Sequence, residues 1–204
     1  MKKKIISLAI LCVLALSAGI YYYVHQPKNI FDEIYQETKK TYRGNNILGQ
    51  IDNFKIRGSW PTDSDSYKYT PFGTYEIEEE NNYSNIRIGF NFRLTQKTVS
   101  ISFKKELDSK VSLSLWSMYS AKDQTLTKTI EILLKENDSN DYIDNESEVK
   151  SYLKKYGITT KDLDGYYDKI VNQKVLKDWC SIYDSKFSPT DYGDVTVKTQ
   201  WENW

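Results

Sequence analysis

Histidine and cysteine are nearly missing from this chain of 204 residues, and each scarcity removes a class of chemistry. The one histidine, His25, stands beside Pro27, ahead of most of the chain. A serine or cysteine nucleophile needs its base within hydrogen-bond reach, so no Ser–His or Cys–His pair can form in a domain beyond that point. Zinc sites draw on Cys and His, and two cysteines with one histidine supply too few ligands. Cys12 falls inside an apolar run and Cys180 stands alone after it, so no intrachain disulfide staples the fold. Leu11 sits where a lipoprotein cysteine at position 12 would need a small residue, and Cys12 reads as a buried apolar thiol. Nothing near Cys180 in sequence would lower its pKa, so it reads as structural. Glycine-rich phosphate loops are absent. Asp138, Asn140 and Asp141 begin like a calcium loop, but Tyr142 and Ile143 occupy the ligand and glycine positions, which leaves a solvated loop. No spacing among the 28 acids singles out a carboxylate pair for glycoside hydrolysis.

What the chain does have begins at its N-terminus. Lys2, Lys3 and Lys4 precede an uncharged apolar run, Ile5 to Val24, that ends in Tyr21-Tyr22-Tyr23. Twenty residues of helix reach roughly 30 Å, the thickness of a bilayer core. The basic flank stays inside, which puts everything after Val24 outside the cell membrane. A cleaved signal peptide is the competing reading, with a weak small-residue site at Ser17-Ala18-Gly19. The tyrosines, at home at the membrane–water interface, favour a retained anchor. Residues 1–24 are thus expected as a transmembrane helix and residues 25–204 as one extracytoplasmic domain.

That domain takes 25 of the 28 basic residues and all 28 acids, a formal charge of −3. Such a balance gives no electrostatic reason to bind nucleic acid or anionic lipid. Tyrosine is abundant, with 17 copies beside 7 Phe and 5 Trp, and serves cores and interfaces alike.

Hydrophobic period divides the domain. Ile30, Phe31, Ile34 and Tyr35 recur at helical spacing after Asn29, a plausible cap, with Gly44 as the stop. Residues 58–70 read as a long loop. Short strands are expected at Asn53–Arg57 and Phe72–Glu80. Then Ile86, Ile88, Phe90, Phe92 and Leu94 alternate with polar residues, as do Val99, Ile101 and Phe103, then Val111, Leu113 and Leu115, and less cleanly Leu126 to Leu134. Alternation with short connections predicts an antiparallel meander with one buried and one wet face. Asn137 to Asn145 reads as an acidic loop. Helices follow at Glu146–Tyr156, stopped by Gly157, and from a Thr160 cap to about Tyr183, with Ile170, Val171, Val175, Trp179 and Ile182 on one stripe. Gly193 to Trp201, with Val195, Val197 and Trp201 in phase, predicts a terminal strand. The order implies an α+β fold, an antiparallel sheet of about seven strands with helices covering one face.

The opposite face of the sheet is the candidate site. Its phase carries Arg87, Asn91 and Arg93, then Ser100 and Ser102, then Ser112 and Ser114, and continued along the same strand it adds Trp116 and Met118. A Trp among small polar and Arg residues suits protein recognition, with Arg87, Asn91, Arg93 and Trp116 as anchors and Ser102 and Ser114 as a flat floor. One residue of slip would bury Trp116 instead.

The basic start with one span, the helix Asn29-Ile30-Phe31-Asp32-Glu33-Ile34-Tyr35, the Tyr/Ser-rich meander and the late Gly193-Asp194-Val195-Thr196-Val197 strand resemble the TipC family of immunity proteins from streptococci and relatives. The resemblance implies a membrane-tethered antitoxin, three helices and a crescent-shaped seven-stranded sheet, with no enzymatic activity and no cofactor. It implies as partner a toxin of the LXG class exported by a type VII secretion system. A TelC-like toxin of that class degrades the wall precursor lipid II outside the membrane. The family's toxin contact, on the concave sheet face, maps onto the outward phase already derived. The rival expectation is an extracytoplasmic glycan-binding or wall-processing module using the same face.

Overall fold

The computed structural model describes residues 2–41, 47–57, 70–76, 82–136 and 139–204. The chain opens on helix α1, Lys2–His25. From Ile10 onward its apolar side chains stand exposed, Leu11, Leu14, Leu16, Ile20 and the three tyrosines among them. Among the described residues no helix is both long and apolar enough to cross a membrane. The expected N-terminal helix is there, but a spanning one is not found among the described residues.

Helix α2, Ile30–Thr41, starts where Asn29 accepts a hydrogen bond from the Asp32 backbone N–H at 2.9 Å. This is the expected cap, and Ile30, Phe31, Ile34 and Tyr35 are all buried. The stop assigned to Gly44 lies outside the described residues. A short 3-10 turn, Ile47–Gln50, tucks Leu48 into the core.

Seven strands then run in sequence order across one sheet, each antiparallel to the last. They are β1 Phe54–Arg57, β2 Phe72–Tyr75, β3 Tyr83–Arg93, β4 Gln96–Glu106, β5 Val111–Ser120, β6 Thr125–Glu136 and β7 Ser139–Ile143. The meander is as expected. Ile86, Ile88, Phe90 and Phe92 are buried in alternation, and Val99, Ile101, Phe103, Val111, Leu113 and Leu115 keep the same inward phase, although Ser102, Ser112 and Ser114 between them are buried as well. A register shift between Ser84 and Arg87, with Asn85 at φ 52°, lets Tyr83 keep the buried side. Leu94 departs from its expected phase: it sits on the β3–β4 turn, 84 % exposed. The acidic loop expected at Asn137–Asn145 is also corrected, because Ser139–Ile143 is a strand paired with β6. An edge strand forms through its backbone, so it needs no apolar alternation to mark it. Most of the long loop expected at 58–70, and the end of the strand expected to reach Glu80, lie outside the described residues.

Helix α3, Glu146–Lys155, is capped by Asn145 and ends before Gly157, whose φ of 65° suits glycine. Helix α4, Thr160–Tyr167, is capped by Thr159, one residue earlier than expected, in a capping box with Asp162. A π-helix, Asp168–Leu176, and helix α5, Lys177–Tyr183, continue the run. Winding at i→i+5 shifts the buried stripe. Ile170, Val171, Val175 and Trp179 stay inside and Leu176 joins them, while Ile182 turns outward at 39 % exposure. Last comes β8, Thr196–Thr199, shorter than expected and parallel to β6 from Thr125 to Lys128. Val197 is exposed, but Trp201 is buried and donates its indole N–H to Asp164 at 3.0 Å.

The helices cover one face. Phe31 of α2 stacks on Tyr119 of β5, Tyr35 meets Phe92 of β3, and Lys128 of β6 lies 3.8 Å from the ring centre of Tyr167 in α4. All three sheet residues belong to the buried phase. The result is an α+β fold of seven antiparallel strands plus a short parallel one, with α2 to α5 on a single side.

Candidate functional site

The face left open is organised by cross-strand register. One rung runs Lys55–Thr74–Arg87–Ser102–Trp116–Thr129 from β1 to β6. The next runs Arg57–Phe72–Gly89–Ser100–Met118–Thr127. Trp116 and Met118 are 40 % and 49 % exposed, so the outward register is the one adopted. The Trp116 indole N–H donates to Ser114 Oγ at 2.9 Å, which lays the ring along its own strand. Ser102 and Ser114 belong to this face but are buried, the second directly in contact with that indole. Gly89 keeps the neighbouring rung low, since a Cβ there would meet Ser100 Oγ at 2.7 Å.

Arg87 is exposed and places its guanidinium 3.7 Å from the ring centre of Phe72, a cation–π contact that fixes its direction. Asn91 joins Gln96 at 2.9 Å and accepts from the Arg93 backbone N–H at 3.1 Å, so Asn91 shapes the end of β3 that presents Arg93. All six sequence-predicted residues therefore share one face: Arg87, Ser102, Trp116 and Ser114 lie close together, with Asn91 and Arg93 nearer the β3–β4 turn.

Charge on this face is graded. Lys55 and Arg57 both pair with Glu76 near the β1 edge. Toward β5 and β6, Glu106 accepts from Ser112 at 2.8 Å, Lys135 at 2.6 Å and Ser84 at 3.3 Å. Burial pushes the Glu106 carboxyl up, but those hydrogen bonds outweigh it and hold it below the usual range. Burial, first, and the nearby Asp144 raise the Glu131 carboxyl instead.

Beneath the sheet is a polar lock that the sequence reading did not see. Asn29 Nδ2 donates to the Tyr119 hydroxyl at 2.9 Å, and that hydroxyl donates to Asp32 Oδ1 at 3.1 Å. Glu33, also buried, accepts the Trp179 indole N–H at 2.8 Å. Its signal in the sequence is three polar residues interleaved with the apolar stripe of α2, where an amphipathic helix would keep them apart. Cys180 donates to the Phe187 carbonyl at 3.5 Å, and burial raises its thiol pKa, consistent with a structural role. Among the described residues no three metal-ligating side chains converge. The open face offers shape, an indole and charge, the ingredients of a binding surface.

The description "TipC immunity protein-like" belongs to a family model that matches residues 2–200. TipC2 from Streptococcus intermedius B196, a solved structure, is similar over 88 % of this chain and 99 % of its own, at 53 % identity and a TM-score of 0.81. No match was found among curated proteins. A family match over nearly the whole chain, with a solved relative at 53 % identity, leads to one conclusion: this chain belongs to the TipC immunity protein-like family.

Proposed function

We propose that this protein is a membrane-anchored immunity protein that binds and neutralises a secreted antibacterial toxin, of the lipid II-degrading TelC type, outside the cell membrane. Neutralisation is stoichiometric and not enzymatic: the open face occludes the toxin. The observation that carries this is the half-exposed Trp116 on the six-strand rung, one strand beyond Ser102 from Arg87 and braced by Ser114. Large aromatic and Arg side chains held in place by neighbours are what anchors of protein interfaces look like. Anchoring is supported by the uncharged run Ile5 to Val24 behind three lysines and by the exposed apolar side chains of α1.

Co-purification of the full chain with the product of an adjacent LXG-type toxin gene tests the function. A one-to-one complex that blocks lipid II cleavage is the expected result. If Arg87→Ala, Arg93→Ala and Trp116→Ala all bind the toxin as the parent does, the contact lies elsewhere. Turnover of a wall substrate by the purified protein would overturn the immunity reading in favour of an envelope module. Protease added to intact, wall-stripped cells should digest the domain, and digestion only after lysis would refute the topology.

A further inference from the structure

We propose that the cleft between the end of α1 and the base of the domain binds anionic phospholipid headgroups and seats the domain on the outer surface of the bilayer. The proposal rests on the anchoring reading above. The cleft has a volume of about 940 Å³ and gathers Lys28, Lys39, Lys40, Lys97 and Lys186 from separate parts of the chain: the linker after α1, α2, the start of β4 and the segment after α5. Net charge could not reveal this, because a formal −3 spread over a domain says nothing about one end of it.

The acids in the same cleft are already engaged. Asp32 accepts from the Tyr119 hydroxyl, Glu33 from the Trp179 indole, and Glu37 pairs with Lys40 at 2.6 Å. Among the described residues, Lys28, Lys39, Lys97 and Lys186 make no ion pair with a carboxylate. Lys186 reaches the Gln26 side-chain oxygen at 3.3 Å and lies 5.0 Å from the ring centre of Phe187, neither of them an anion. These ammonium groups are left to meet an anion from outside.

Position decides which anion. Tyr21 and Tyr22 line the same cleft, so it opens beside the residues that prefer the membrane–water interface. A second observation marks the same end of the domain. The β3–β4 turn carries Leu94 at 84 % exposure, three residues from Lys97, whose carbonyl accepts the backbone N–H of Ala121 in the β5–β6 turn. An apolar tip beside a ring of lysines matches a bilayer surface, where the tip enters the apolar boundary and the lysines meet phosphates. The tether holds the cleft at that depth permanently, so even weak contacts operate at high effective concentration.

The test uses the full chain in nanodiscs of phosphatidylcholine, with or without phosphatidylglycerol, and reads lysine acetylation rates by mass spectrometry. Phosphatidylglycerol should slow acetylation at Lys28, Lys39, Lys97 and Lys186 by about tenfold at low salt and hardly at all at high salt. Lys154 and Lys161, on α3 and α4, serve as internal references and should not change. The triple variant Lys39→Glu, Lys97→Glu, Lys186→Glu should melt with the parent and lose the lipid dependence. Leu94→Asp should weaken it. If the chain sits stably in both discs and its acetylation is the same in each, the headgroup cleft is wrong and the anchor stands. If the triple variant keeps the full dependence, the cleft is wrong as well. A chain that enters neither disc overturns the anchor and the headgroup contact together.

Discussion

Trp116 and Tyr119 lie three residues apart on β5 and face opposite sides of one sheet. Tyr119 has no exposed surface, stacks on Phe31 and exchanges hydrogen bonds with Asn29 and Asp32. Burial pushes its hydroxyl pKa far up, so it stays a neutral donor and acceptor at any physiological pH. Trp116 keeps 40 % of its surface in water and donates its indole N–H to Ser114. The covered face thus spends its aromatics and its polar groups on holding α2 and α5 to the sheet. The open face pairs its charges along the surface and keeps Trp116 and Met118 half in water. Loss of folding and loss of recognition should therefore separate by face.

The sharpest way to break that separation is to truncate the two indoles. Trp179→Ala should destabilise by about 3–5 kcal/mol, from the cavity and from the unpaired Glu33 carboxylate, and thermal melting should show it. Trp116→Ala should leave the melting temperature nearly unchanged and weaken toxin binding by about 2 kcal/mol or more, roughly thirtyfold. A large drop in melting temperature for Trp116→Ala would erase the contrast. Next in size is Tyr119→Phe, which removes the donor to Asp32 and the acceptor for Asn29. It should cost about 1–3 kcal/mol in denaturant unfolding without altering toxin affinity.

The smallest effects sharpen the comparison within the open face itself. Glu106 has a depressed folded-state pKa, so its contribution is present above the unfolded value and is lost as pH falls through the folded one. Glu131 is raised, so its contribution is present only below the unfolded value and is gone by neutral pH, where the charged form is penalised. At pH 7, Glu106→Gln should lower stability slightly and Glu131→Gln should raise it slightly. Melting curves at pH 7 and near pH 4 should show both differences shrinking in acid.

The long strands were readable because period two survives in β3, β4 and β5, where Leu113 and Leu115 fix the phase that turns Trp116 out. Other features had no such signal. The edge strand β7 is made by backbone pairing between polar residues, and the π-wound stretch changes period without announcing it in composition. Ser102 and Ser114 could be placed on the correct face, but their burial depends on neighbours from other strands and on the indole of Trp116. Asn29 was legible as a cap, a local role, whereas its bond to Tyr119 crosses 90 positions of sequence. Likewise the lysine cleft collects its members from four places, which no window along the chain can join.

The parallel strand β8 carries a consequence for the order in which the protein can fold. β7 holds the edge of β6 only from Ile132 to Glu136, and Thr125 to Lys128 wait for Thr196 to Thr199. Antiparallel neighbours joined by tight turns can zip as soon as they exist, but this pairing must close across all the intervening helices, the slow kind of contact. Until it does, one edge of β6 offers unpaired amides and carbonyls to any passing strand, and the pocket for Trp201 beside Asp164 stays unfilled. The last residues of the chain thus act as its latch, and removing them from Thr196 onward should leave a collapsed sheet that is prone to join others through the open edge of β6.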